Sequence, residues 1–140
     1  MQSSLAAGAD QLCAEAALKL SVPLVAVLPM AKEEYEKDFS EEELTSFRML
    51  CGAAGECFTA PATEQVPETQ DRDFAYREAG IYMAAHAHVL VALWDGKKRE
   101  KQSCGTAETV RFAREGAYEP QYSIPLGGNC PVWHILTPRL

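Results

Sequence analysis

The feature that most constrains this chain is an apolar run at residues 89–94, Val-Leu-Val-Ala-Leu-Trp, which stops at Asp95-Gly96 and is followed by Gly105-Thr106. Bounded by that turn pair, the run reads as a strand buried on both faces. Residues 97–103 are polar and basic and read as an exposed loop. A helical pattern opens at Gly105-Thr106, with apolar or small residues at Ala107, Val110, Ala113 and Ala117. Strand, glycine-bearing loop and helix start form the local geometry in which open α/β sheets hold nucleotides. The exposed backbone N–H groups and the positive end of the helix dipole favour a phosphate there.

The same alternation runs along the whole chain and predicts an α/β, Rossmann-like three-layer sandwich with a mainly parallel sheet. Gly8-Ala9-Asp10 opens a first helix whose apolar or small positions are Leu12, Cys13, Ala16, Ala17 and Leu20. Residues 23–28 form a strand, and residues 31–39 a loop with a helical turn. Ser40 with Glu43 has the spacing of a capping box for a helix reaching about Ala54. Residues 57–60 are a short strand, 61–70 an exposed loop, and Asp71 or Asp73 caps a helix running to about His86. Strand 88–94, helix 106–116, a loop over 117–130 and a last strand at 132–136 complete the order. At most residues 2–6 are left for a strand ahead of Gly8, so the fold reads as shortened at its N-terminus.

With 140 residues, a single domain covering 1–140 is expected. A net charge of −7 speaks against a broad nucleic-acid-binding face, which needs clustered Lys and Arg. The one basic cluster, Lys97-Lys98-Arg99-Glu100-Lys101, is either a solvated loop or a cover for an anionic ligand beside it. Five scattered cysteines without a C-x-x-C pair point to reduced thiols and a cytoplasmic protein. No segment has the apolar length of a membrane span, and no secretory signal is seen. His86 and His88 have a spacing that metal sites use, but no Cys or carboxylate cluster accompanies them, so neither metal nor cofactor is expected.

Ser4-Leu-Ala-Ala-Gly-Ala-Asp-Gln-Leu12, Val27-Leu-Pro29, the block at 79–96 and Gly105-Thr-Ala-Glu108 together resemble the Rossmann-like SLOG superfamily. That superfamily groups Lonely Guy phosphoribohydrolases, Smf-type DNA-processing proteins and nucleotide sensors of bacterial defence systems. The resemblance covers roughly residues 3–137 and implies a ligand with ribose and phosphate, such as a nucleotide or an NAD-derived molecule. In Lonely Guy enzymes a P-G-G-x-G-T-x-x-E motif binds phosphate and supplies a catalytic glutamate. Here eight residues separate Gly96 from Gly105, the glutamate is one position early at Glu108, and Thr109 stands in its place.

The candidate ligand-binding residues are therefore Gly8, Asp10, Asp95, Gly96, Gly105 and Thr106, with Glu108 as the candidate catalytic group. Asp10 and Glu108 each have a plain alternative, since a carboxylate in a first helical turn complements the dipole. Cys104 beside Gly105 is a further candidate, as a thiol acidified by a helix N-terminus. Arg77 either reaches the site or serves the structure. A glycine-bearing helix start beside an altered catalytic motif favours binding or sensing of a nucleotide-like molecule. The alternative is cleavage of an N-glycosidic bond in a nucleoside monophosphate, with Glu108 as acid/base and Gly105 and Thr106 on the 5′-phosphate. A third reading is an interaction module with no ligand. The resemblance also implies a homodimer, for which Tyr76, Ile81, Tyr82 and Met83 of helix 71–86 offer a surface.

Overall fold

Parallel strands cannot be joined by a tight turn, so each parallel pairing obliges the chain to cross over through a longer connection, usually a helix. Every described strand pair in this protein is parallel. A computed structural model describes residues 1–61, 71–97, 104–116 and 130–137. The element order is β1 (Gln2–Ser3), α1 (Ala9–Lys19), β2 (Val25–Leu28), α2 (Lys32–Tyr35), α3 (Glu41–Ala53), β3 (Glu56–Thr59), α4 (Arg72–His86), β4 (Leu90–Trp94), α5 (Thr106–Glu115) and β5 (Val132–Leu136). A 3₁₀ turn, Glu36–Asp38, separates α2 from α3. The protein is thus an α/β chain with small parallel sheets. Two compact units divide it, Met1–Ala60 and Pro61–Leu140. The expected loops at 61–70 and 117–130 lie almost wholly outside the described residues.

In the first unit the strand order is β1-β2-β3. Ser3 stands opposite Ala26, and Ala26 in turn opposite Cys57. Strand β2 is central, and its Ala26, Val27 and Leu28 are buried accordingly. The capping box forms: Ser40 accepts from the Glu43 N–H at 3.5 Å, and the Glu43 carboxylate accepts from the Ser40 N–H at 2.8 Å. Helix α3 then buries Phe47 and Leu50. Phe47 stacks on Phe39 at 4.8 Å between ring centroids and meets Tyr35 edge-on at 5.4 Å. The segment 31–39 is therefore folded as a helical turn plus 3₁₀ turn that delivers Tyr35 to the core. Burial of such a ring is worth about 1.5 to 3 kcal/mol.

The face of α1 agrees with the expected one at Ala17 and differs from it elsewhere. Gln11, Ala14 and Ala17 are buried, whereas Leu12 is 64% and Leu20 76% exposed. The reason is a polar anchor: the Gln11 amide donates to Leu5 O at 3.3 Å and to Glu43 O at 3.2 Å. Those bonds turn the small residues Ala14 and Ala17 inward and the leucines outward.

In the second unit β4 pairs with β5 in register Leu90↔Val132 through Trp94↔Leu136. Asp71 caps α4, its carboxylate accepting from the Asp73 N–H at 3.0 Å. Ile81 and Ala84 of α4 pack with Phe112 and Ala113 of α5, and Leu90 and Val132 close against them from the sheet. Ile81, 1% exposed, is thus core and not part of a surface for a second copy. Strand β4 is also not buried on both faces. Alternation sends Leu90 and Val132 toward the helices and Val91 and Trp133 the other way, and Val91 is 49% exposed. Among the described elements, the helices cover one face of this sheet. No described helix is long and apolar enough to cross a membrane.

Helices α4 and α5 meet at Gly80. A Cβ there would stand 2.7 Å from the Thr109 hydroxyl, inside van der Waals contact. At an unhindered helical site Gly→Ala stabilises by about 1 kcal/mol. Overpacking costs about 1 to 3 kcal/mol and is the larger effect here. Gly80→Ala is expected to lower the unfolding free energy by ~1 to 2 kcal/mol in chemical denaturation. Combined with Thr109→Ala the loss should disappear; an undiminished loss in the double variant would show that this contact is not its source.

Candidate functional site

The two helices singled out by the sequence, α1 and α5, begin alike. Gly8 and Gly105 are their N-cap residues, with φ of 84° and 100°, and neither provides a side-chain cap. Both angles lie where an L side chain is strained. Nothing stands within 4 Å of a Cβ at Gly8, so backbone conformation and not crowding calls for glycine there. Helices α3 and α4 start differently, the Ser40 hydroxyl accepting from the Glu43 N–H and the Asp71 carboxylate from the Asp73 N–H. Among these four helices, the N–H groups at the starts of α1 and α5 are thus the ones not served by an N-cap side chain. Both starts follow the carboxyl end of a parallel strand, the position at which open α/β sheets bind ligands.

In the first unit the turn between β1 and α1 is held by its own polar groups. Leu5, buried, adopts φ 57°, and its N–H donates to the Ser3 hydroxyl at 3.1 Å. The Asp10 carboxylate accepts from the Ser3 hydroxyl at 3.3 Å and from the backbone of Ala6 and Ser4. Desolvation raises the Asp10 pKa above its ordinary 3.8, and these hydrogen bonds pull it only partly back. Asp10 therefore shapes the turn that leads into Gly8.

In the second unit Asp95 and Gly96 form the turn beyond β4. The Asp95 carboxylate accepts from the Lys97 N–H at 3.0 Å, and the Trp94 indole donates to Lys97 O at 3.2 Å. Gly96 has φ 78°. The His134 Nε2 lies 2.9 Å from Trp94 O, and the two rings are 5.3 Å apart, tying this turn to β5. Of the basic loop, Lys97 alone is described; residues 98–103 lie outside the described residues.

Gly105, Thr106 and Glu108 share the start of α5. Glu108 is buried, and its Oε2 accepts from both Nε and a terminal nitrogen of Arg111, each at 3.0 Å. Arg111 lies over the Phe112 ring at 4.7 Å, and Arg77 stands 5.7 Å from the same ring centroid. Arg77 thus packs on the core of its own unit. Arg111 was not among the expected residues, although its spacing of three from Glu108 on a helix is a readable ion-pair signal. Neither is Gly80, whose role depends on the neighbouring helix.

Cys104 does not fit the role of an acidified nucleophile. Its sulfur is 3.6 Å from the Asp73 carboxylate, and burial together with that negative neighbour pushes its pKa up to about 11. The thiol is protonated at neutral pH. His86 stacks on Tyr82 at 4.0 Å, with Nδ1 2.8 Å from Tyr82 O. Among the described residues no group of three or more His, Cys, Asp and Glu is placed to hold a metal ion. No protein-family model, curated protein or solved structure matches this chain.

The raised pKa of Asp10 carries a sign that can be measured. Between the unfolded value of 3.8 and the higher folded value, the folded state binds more protons than the unfolded one. Stability contributed by protonated Asp10 is therefore lost as pH rises through that window. Relative to Asp10→Asn, the wild-type protein should lose unfolding free energy as pH is raised from about 4 to 7. Denaturation curves that keep a constant separation over this range would contradict the assignment.

Proposed function

We propose that this chain is a Rossmann-like, SLOG-type protein that binds or senses a nucleotide-like ligand, with ribose and phosphate recognised at the start of α5. The observation that carries this reading is the glycine-opened start of α5, whose N-cap Gly105 supplies no side-chain acceptor and which follows the carboxyl end of β4 in the chain. A phosphate there would accept from the backbone around Gly105 and Thr106, with Asp95 and Gly96 contributing from the turn beyond β4. Gly8 and Asp10 give the start of α1 the same character in the other unit. Binding is favoured over N-glycosidic hydrolysis because Glu108 is engaged by Arg111, which holds its carboxylate along the helix. The free thiols Cys13, Cys51, Cys57, Cys104 and Cys130 support a cytoplasmic setting for such a sensor.

Thermal shift with AMP, ADP-ribose, NAD and cyclic nucleotides tests the reading. A ligand at a hundredfold excess over its Kd stabilises by about 2.7 kcal/mol, a rise of about 5 to 10 °C. The rise is expected for at least one ribose-phosphate compound, with none for the matching nucleoside. Gly105→Ala should abolish it when each protein is compared with its own unliganded midpoint. No response to any of these compounds at millimolar concentration overturns the proposal. Free base released from a nucleoside monophosphate, and lost in Glu108→Ala, would replace it by a phosphoribohydrolase. We extend the proposal to a homodimer through α4, with Tyr76, Tyr82 and Met83 and without the core residue Ile81. Light scattering at the mass of a monomer across micromolar concentrations would overturn that extension.

A further inference from the structure

Two of the five thiols meet. Cys51 lies in the last turns of α3, buried, and Cys57 lies in β3 with its residue exposed. Their sulfurs are 3.6 Å apart, the Cys57 thiol facing the Cys51 sulfur. Between them, residues 52–53 end α3, 54–55 form the turn and Glu56 opens β3. The turn is fixed by backbone bonds on both sides: Ala54 N–H donates to Leu50 O at 3.0 Å, and Gly55 N–H to Leu24 O at 2.9 Å. The two cysteines are therefore held as neighbours by secondary structure, and not by their own contact. A disulfide needs the sulfurs at about 2.05 Å, which leaves ~1.5 Å to be closed.

We infer that Cys51 and Cys57 form a reversible redox pair, a dithiol that a low-molecular-weight disulfide converts to an intramolecular disulfide linking α3 to β3. The exposed Cys57 attacks first. Its thiolate displaces one thiolate from oxidised glutathione, leaving a mixed disulfide on Cys57. The Cys51 sulfur, deprotonated to solvent, then attacks the Cys57 sulfur and releases the second glutathione. One protein dithiol and one glutathione disulfide become one protein disulfide and two glutathione thiols, so atoms and electrons balance. The order follows from access, since Cys51 is buried and Cys57 is exposed. It also follows from ionisation. Burial, with the neighbouring Cys57 thiol adding to it, pushes the Cys51 thiol up to about 12, which makes it a poor first nucleophile. Lys32 works against that rise and Glu36 adds to it.

The other thiols serve as internal comparators. Cys104 faces the Asp73 carboxylate, and the Cys130 thiol donates to Ala87 O at 3.3 Å. The sequence also places Cys51 and Cys57 alone on one tryptic peptide, residues 49–72, between Arg48 and Arg72. The full-length protein is equilibrated with a series of reduced to oxidised glutathione ratios, quenched with acid, alkylated and mapped by mass spectrometry. The expected result is a peptide 49–72 lighter by two hydrogen masses and resistant to alkylation, restored by reduced glutathione. Cys104 and Cys130 should remain alkylated at the same ratios. In Cys51→Ser the reaction should stop at glutathione bound to Cys57, and in Cys57→Ser peptide 49–72 should stay fully alkylated. Should Cys51→Ser not fold, the wild-type and Cys57→Ser maps decide alone. A wild-type protein that accumulates glutathione on Cys57 while Cys51 remains alkylatable would overturn the inference. So would a dithiol still reduced at the most oxidising ratio.

Discussion

Parallel pairing is the constraint on which the rest of this structure depends. Because β1 pairs with β2, β2 with β3, and β4 with β5 all in the same sense, each connection must travel back along the sheet before the next strand begins. The return is made by helix, and the chain therefore leaves a strand's carboxyl end to enter a helix at its amino end. Helix starts accumulate where strands finish. Nothing about a ligand is needed to produce this arrangement; it is the geometric result of joining parallel strands. What a sequence can add is the chemistry of the first residues in each helix.

That chemistry divides α1, α3, α4 and α5 into two kinds. Ser40 and Asp71 satisfy the starts of α3 and α4 with side-chain oxygens, a device that stabilises a helix by about 0.5 to 2 kcal/mol over alanine. Gly8 and Gly105 offer α1 and α5 no side-chain acceptor and hold a backbone conformation at positive φ. A protein that needed only stable helices would gain by placing Ser or Asp at both positions, if the turn allowed it. The turn does not allow it cheaply, because φ of 84° and 100° strains any residue with a Cβ. Turn shape and uncapped N–H groups thus come from the same choice of residue.

Much of this organisation was legible in the sequence, and what was not has a common cause. The order of strands and helices followed from apolar runs and turn residues, and Ser40 with Glu43 announced a capping box that the structure forms. Local signals of this kind depend on residues three or four apart. The face of α1 failed because apolar counting favours Leu12 and Leu20, while the helix is oriented by Gln11 reaching Leu5 O and Glu43 O, the latter 32 residues away. Burial of β4 failed on its second face because a run of apolar residues does not say which faces helices will cover. Gly80 and Thr109 were invisible for a similar reason, being 29 residues apart and paired only by helix packing. At the candidate site the glycines were readable and so was the i, i+3 spacing of Glu108 and Arg111, whereas the turn that engages Asp10 was not.

Those partners decide what the first-turn acids do to an anion. A bare carboxylate in the first turn stabilises an empty helix but repels a phosphate approaching the same N-terminus. Glu108 does not present its charge in that way, since Arg111 donates twice to one of its oxygens from within the same helix. The pair is close to neutral, and the guanidinium is backed by the Phe112 ring. The positive end of α5 therefore keeps its sign despite the acidic residue beside it. Asp10 reaches a comparable result by another route, because burial disfavours its ionised form while Ser3 and the backbone of Ala6 and Ser4 accommodate the carboxylate. In both helices the first-turn acid is engaged by the protein's own groups, and the N-cap glycine beside it brings no side-chain charge of its own.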